Sequence, residues 1–361
     1  MININSNFGF QIKKETAMDN ITNKKTKRVL YFDVLNILAA LSVIFLHCNG
    51  NSFTYTGDLA WYQALLVEVV CYWAVPVFLM LSGANLMSYR DKYTTKEFFK
   101  KRFMKTLIPF VIWSLIVAVM KEINPFETGW RTFINDFFGC KIESVYWFFI
   151  PLFAVYLSMP VISCLKDNRK VLWYMAGGTF VLGSLLPQVF AYLGLSWNYN
   201  LSMQTVSGLL IFPIIGYLFA TTDFTKFQRI IIYVLALLSA VLRYVGTVLL
   251  TRESGVLNKT FYGYTAYFSV MLACGVFVFF KYNNIIKKLE NNDKISKIIS
   301  KISSCSFGVY LMHMLIFRFL GRYLEVYHWQ WRLLVPFVIY FIALITTYVL
   351  KKIPVLKYIV P

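Results

Sequence analysis

Ten apolar runs, at about 29–47, 64–87, 106–120, 145–164, 171–193, 204–220, 230–250, 261–280, 304–320 and 333–350, alternate with short polar segments. Runs of this length can cross roughly 30 Å of hydrocarbon as helices. The pattern predicts an all-α integral membrane protein: one bundle of about ten transmembrane helices over residues 28–350, between a polar tail at 1–27 and a second tail at 351–361. The shortest run, 106–120, calls for either a tilt or an extension into the segment before it. No internal repeat or appended soluble domain is visible, and the first run lacks a small-residue cleavage site, so it reads as a retained anchor.

Composition agrees. Of 361 residues, 58% are hydrophobic and 15% charged, too few charges to cover so much apolar surface in water. A net charge of +19 would suggest nucleic acid in a soluble protein. Here the positions of the cations decide instead, and no nucleic-acid partner is expected. With the N-terminus inside, 27 of the 36 Lys and Arg residues fall on inner segments and 7 on outer ones, leaving Arg243 and Arg318 within helices. That bias predicts that both termini are cytoplasmic, that the protein is multi-pass in the cytoplasmic membrane, and that His47 lies at the outer face. The six cysteines are scattered without metal-ligand spacing and predict neither a disulfide framework nor a metal site.

Polar residues inside the apolar runs are the candidate chemistry, because lipid makes them costly. In the first run Asp33, Asn36 and His47 share one helical stripe, the acid and the histidine about 21 Å apart along the axis. An imidazole at a water-facing helix end can act as a general base on an acceptor hydroxyl; the plain alternative is a cation capping a helix C-terminus. Glu68 sits at the depth of His47, either to orient it or bind acceptor hydroxyls, or exposed at a frayed end. Asp33 suits the first turn of its helix without further purpose. At the inner mouth Lys101, Arg102 and Lys105 form a basic cluster. Arg102 and Lys105, three apart, share a face that could grip a polyphosphate, or the patch simply meets anionic lipid. Thr94 or Thr95 is a candidate N-cap for this segment.

Tyr310 and His313, one turn apart, suggest a buried contact, structural or part of a polar path. Pro76 breaks the second helix and frees a carbonyl, as is tolerated beside a cavity. Arg243 and Arg318 are expected to snorkel outward. Trp61, Trp130, Trp147, Trp197, Trp329 and Trp331 read as an outer aromatic belt compatible with sugar stacking.

Five segments in order, Y-F-D-V-L-N-I-L-A-A-L-S-V-I-F-L-H, W-A-V-P-V-F-L-M-L-S-G, F-F-K-K-R-F-M-K-T-L-I-P-F, V-Y-W-F-F-I-P-L-F-A-V-Y-L and S-F-G-V-Y-L-M-H, carry a resemblance to the membrane acyltransferase 3 family over about residues 28–350. The family comprises ten-helix transferases that modify bacterial surface glycans and related acceptors. The resemblance implies a membrane O-acyltransferase that uses acetyl-CoA as acyl donor and a cell-envelope carbohydrate as acceptor, with the bilayer as its other partner. It matches the family's essential histidine to His47, and the basic pair that receives coenzyme A to Arg102 and Lys105. Asn36 stands where the family usually has Arg or Lys. A transporter or flippase for a glycan or lipid-linked sugar is the alternative that ten helices with buried polar groups would also serve.

Overall fold

The computed structural model describes residues 28–361; the tail expected at 1–27 lies outside the described residues. Among the described residues all regular structure is helical. The principal helices are α1 (Leu30–Cys48), α2 (Leu59–Cys71), α3 (Ala74–Leu86), α4 (Thr95–Arg102), α5 (Ile108–Met120), α6 (Phe149–Ile162), α7 (Arg169–Phe180), α8 (Ile211–Thr221), α9 (Lys226–Ser254), α10 (Tyr267–Tyr282), α11 (Asp293–Ser303), α12 (Ser306–Leu320) and α13 (Val335–Leu350).

Every apolar run of the sequence lies on one or more of these helices. Six stretches are long and apolar enough to span a membrane by themselves: Leu30–Cys48, Leu59–Asp91, Thr95–Met120, Ser144–Leu165, Arg169–Tyr192 and Lys226–Ser254. Two more qualify when a bent pair counts as one span: α10 with Asn284–Glu290 (48°), and α11 with α12 (49°). Gly208–Thr221 and Val335–Leu350 are apolar but shorter. The protein is therefore a multi-pass membrane protein.

The weak third run gains its length by extension, one of the two alternatives that the sequence leaves open. Thr94 caps α4 by accepting from the Glu97 N–H while the Glu97 carboxylate accepts from the Thr94 N–H. The helix then runs through a π turn at Phe103–Leu107 into α5. The second run breaks at Tyr72 and Trp73, between α2 and α3. Pro76 has no N–H to give the Tyr72 carbonyl four residues back, which locates the break.

Packing centres on α1, which touches α2, α3, α10, α11, α12 and α13. Its lower stripe is tied to α11: Asn36 Nδ2 donates to the Ser303 carbonyl (3.0 Å) and hydroxyl (3.1 Å), and the Ser300 hydroxyl donates to Asp33 Oδ2 at 2.6 Å. Arg28 also donates to Asp33. At the 49° bend that follows, Lys351 Nζ donates to the Ser304 carbonyl, which the break leaves without a helical partner. Lys281 closes the end of α8 in the same way, donating to the carbonyls of Phe219, Ala220 and Thr222.

Helices α3 and α8 cross in close contact through two glycines. A Cβ on Gly83 would stand 1.9 Å from the Pro213 carbonyl oxygen, and one on Gly216 2.0 Å from that of Met80. Both obstacles are backbone, so nothing flexible can yield, and small residues are what let helices approach this closely in lipid. Gly83→Ala or Gly216→Ala is expected to cost about 1–3 kcal/mol or more, seen as a lower thermal midpoint in detergent. Gly177→Ala, where a Cβ meets nothing within 4 Å, is the control expected to leave the midpoint in place. Equal midpoints for all three would show that α3 and α8 have room to separate.

Candidate active site

The upper end of α1 opens on a cavity of about 250 Å³. Its lining includes Val43, Leu46 and His47 from α1, Glu68 from α2, Tyr72 and Val75 at the helix break, and Tyr310 from α12. Phe53, Phe78, Val145, Trp147, Phe148 and Tyr264 complete the wall. The Pro76 break thus does border a cavity, and His47 and Glu68, far apart in sequence, share it.

Glu68 is 2% exposed, so the frayed-end reading fails. Its carboxylate receives Nη2 of Arg243 at 2.7 and 2.9 Å. Arg243, 1% exposed, does not snorkel: its guanidinium lies 3.7 Å from the Tyr72 ring centroid and 5.2 Å from that of Tyr262. Pairing two charges and covering the cation with ring faces removes most of the cost of burying either alone. From there a stack runs towards the cavity, Tyr72 on Tyr264 at 4.3 Å and 10°, then Tyr264 on Trp147 at 5.3 Å and 19°. Arg243, Tyr72, Tyr264 and Trp147 form a continuous column whose rings make one apolar, π-faced wall.

Trp147 therefore belongs to the cavity rather than to a lipid-facing belt. Trp61 and Trp331, 0% and 1% exposed, are core residues, the Trp61 Nε1 donating to the Ser52 carbonyl. Trp130 and Trp329 are exposed as a belt requires.

A second ion pair lies near the cavity, two residues before Val145 of its lining. Arg318 donates to Glu143, which is itself buried, and Lys121 Nζ lies 3.8 Å from the same carboxylate. Arg318 is thus engaged instead of free in the headgroup region. Glu143 is the acid whose charge reaches His47. It stands in a loop before a 3₁₀ turn, so no helical period singles it out in the sequence. Tyr264 has no such signal either.

Behind His47 lies His313, the ring centroids 5.3 Å apart and the planes at 33°. The expected Tyr310–His313 contact exists, with rings 5.7 Å apart, but its hydrogen bonds take other routes. His313 Nδ1 is 2.6 Å from the Tyr310 carbonyl, and the Tyr310 hydroxyl donates to the Val145 carbonyl. The stripe Asp33, Asn36 and His47 therefore tracks one broken partner, α11 below and α12 above.

The basic residues gather at the opposite end of α1. Arg102 sets its guanidinium against the rings of Tyr156 (5.5 Å) and Phe98 (5.8 Å), and Lys101 Nζ lies 3.7 Å from the Tyr93 centroid. Lys105 is exposed and lies in the π turn. Burial pushes the Lys351 ammonium below its ordinary pKa; the nearby Cys305 thiol opposes the shift, and the charges of Lys105 and Arg28 add to it. Lys105, Lys351 and Arg28 thus form one positive cluster. The whole of α1, about 28 Å long, separates it from His47.

The family model described as an acyltransferase domain matches residues 29–351, nearly the whole chain. No curated protein and no solved structure matches it.

Proposed function

Since the chain belongs to the acyltransferase 3 family, and is an acyltransferase on that ground, we propose that it transfers an acetyl group from acetyl-CoA to a hydroxyl of a cell-envelope carbohydrate. The observation that carries this reading is the separation along α1: a cavity with a base and a paired carboxylate at one end, a cluster of cations at the other. Such a layout suits a phosphorylated donor and an uncharged acceptor approaching from opposite sides. The inward excess of Lys and Arg supports ten crossings with both termini cytoplasmic and the cavity outward, in the cytoplasmic membrane.

In this reading Arg102 and Lys105, with Lys101 beside them, hold the coenzyme A phosphates. The pantetheine arm reaches into the bundle. The acceptor sugar lays its apolar face on the Trp147 and Tyr264 rings and offers hydroxyls to Glu68. His47 takes the proton of the attacking hydroxyl, the new ester forms at the thioester carbonyl, the C–S bond breaks, and coenzyme A leaves as the thiol after taking up a proton. Family membership favours this enzyme over the transporter alternative.

The test is transfer of label from radiolabelled acetyl-CoA to envelope glycan in membranes holding the protein. Arg102→Ala/Lys105→Ala is expected to raise the donor KM by about 10-fold or more, since charged hydrogen bonds are worth about 1.5–3 kcal/mol each, and to recover at high donor. An unchanged donor KM removes the basic pair from the donor site. Absence of label in glycan with folded wild-type protein removes the acetyl or carbohydrate assignment.

A further inference from the structure

His313 carries a feature that the reaction as described leaves unused. It is 1% exposed, and its Nδ1 faces the Tyr310 carbonyl at 2.6 Å, with the Val309 carbonyl also within its reach. A carbonyl only accepts, so Nδ1 must carry the proton. That fixes the neutral tautomer and leaves Nε2 as a bare lone pair. This Nε2 is buried and has no hydrogen-bond partner among the described residues. A buried acceptor left unpaired is costly, so the site calls for a donor, and the imidazole of His47 is 5.3 Å away between centroids. For two imidazoles joined end to end by an N–H···N bond, centroids stand at roughly this distance, given an N···N separation near 3 Å. A change of tilt in His47 would bring its N–H into line.

We propose that His313 is a positioning residue for His47: its fixed Nε2 acceptor selects the His47 tautomer whose N–H points at α12, so that the other ring nitrogen of His47 faces the cavity bare. The inference rests on the reading of His47 as base. When His47 takes the acceptor's proton, the resulting imidazolium keeps its N–H on His313, with Glu143, itself paired to Arg318, as the nearby carboxylate. The oxygen acceptor that commonly orients a catalytic imidazole is here replaced by a second imidazole whose own proton is committed elsewhere.

The experiment compares His313→Gln with His313→Asn. Gln can place an acceptor near the Nε2 position; Asn can keep the bond to the Tyr310 carbonyl but does not reach His47. The chain has three histidines, so ¹⁵N-histidine labelling of full-length protein in lipid nanodiscs, with His328→Asn for assignment, resolves each ring. The expected result is one His47 tautomer in wild type and in His313→Gln, and a mixture in His313→Asn. The same variant should lose roughly 10- to 100-fold in kcat at unchanged donor KM, the usual scale for removing a residue that orients a ligand or base. A mixed His47 tautomer in wild type, or a single tautomer unaltered in His313→Asn, overturns the proposal. If the tautomer responds as expected while His47→Ala keeps full activity, the positioning stands and the general-base reading falls.

Discussion

His47→Ala is expected to lower kcat by about 10²- to 10⁴-fold, the range for losing a positioned general base, while donor KM and folded yield stay near wild type. Donor binding survives because the cations that would hold the nucleotide lie at the far end of α1. Folding survives because His47 borders a cavity and the hydrogen bonds that tie α1 to α11 run through Asn36 and Asp33, so only the proposed donor to His313 is lost. Single-turnover transfer from pre-bound donor is the clean measurement, since it excludes product release. A kcat within a few-fold of wild type would take His47 out of the chemistry, and the cavity would have to be reinterpreted as an acceptor pocket without a base.

Glu68→Ala should have the largest effect on stability. It strands the Arg243 guanidinium, 1% exposed, among Tyr72, Tyr262 and the bundle interior. Breaking a buried pair from one side costs about 3–5 kcal/mol, because the remaining charge has neither water nor partner. Removing both charges with Glu68→Gln/Arg243→Met is expected to restore most of that loss, as replaced buried pairs commonly do. The double variant also separates the two duties of Glu68. Stability returns, whereas transfer stays low if the carboxylate receives acceptor hydroxyls. Thermal midpoints in detergent for the single and double variants decide the first point, and acceptor KM decides the second. A Glu68→Ala protein within about 1 kcal/mol of wild type would mean that water reaches the pair.

Hydropathy made the helices legible because lipid imposes one simple requirement on the backbone, and each apolar run reappears on a helix. The capping box at Thr94 and the extension of the third span were equally open to local reading. What escaped was pairwise. Arg243 and Glu68 lie 175 positions apart, and a lone arginine in an apolar helix has the same sequence signature whether it snorkels or is paired inside. Glu143 lies outside the apolar runs, and Tyr264 lies in the part of the 261–280 run that precedes α10, so only the packing of helix ends brings Tyr264 to the cavity and Glu143 near His47. Trp147 reads in the sequence as part of the lipid boundary, since one tryptophan near a helix end does not reveal which ring stacks on it. Of the first-helix stripe, the sequence gives the common face, and the structure divides it between an anchor to α11 and a contact with α12.

The two acids beside the cavity are each matched by an arginine, Glu68 by Arg243 and Glu143 by Arg318. Opposite charges in contact act together as dipoles, whose potential falls as the inverse square of distance where that of a lone charge falls only as its inverse. With Lys121 also 3.8 Å from Glu143, a molecule approaching the cavity meets the short-range fields of these pairs and the long-range pull of one uncompensated positive charge. Capture at this mouth should depend only weakly on ionic strength, in contrast to the cationic end of α1, where dissolved ions would screen the attraction of the proposed phosphorylated donor.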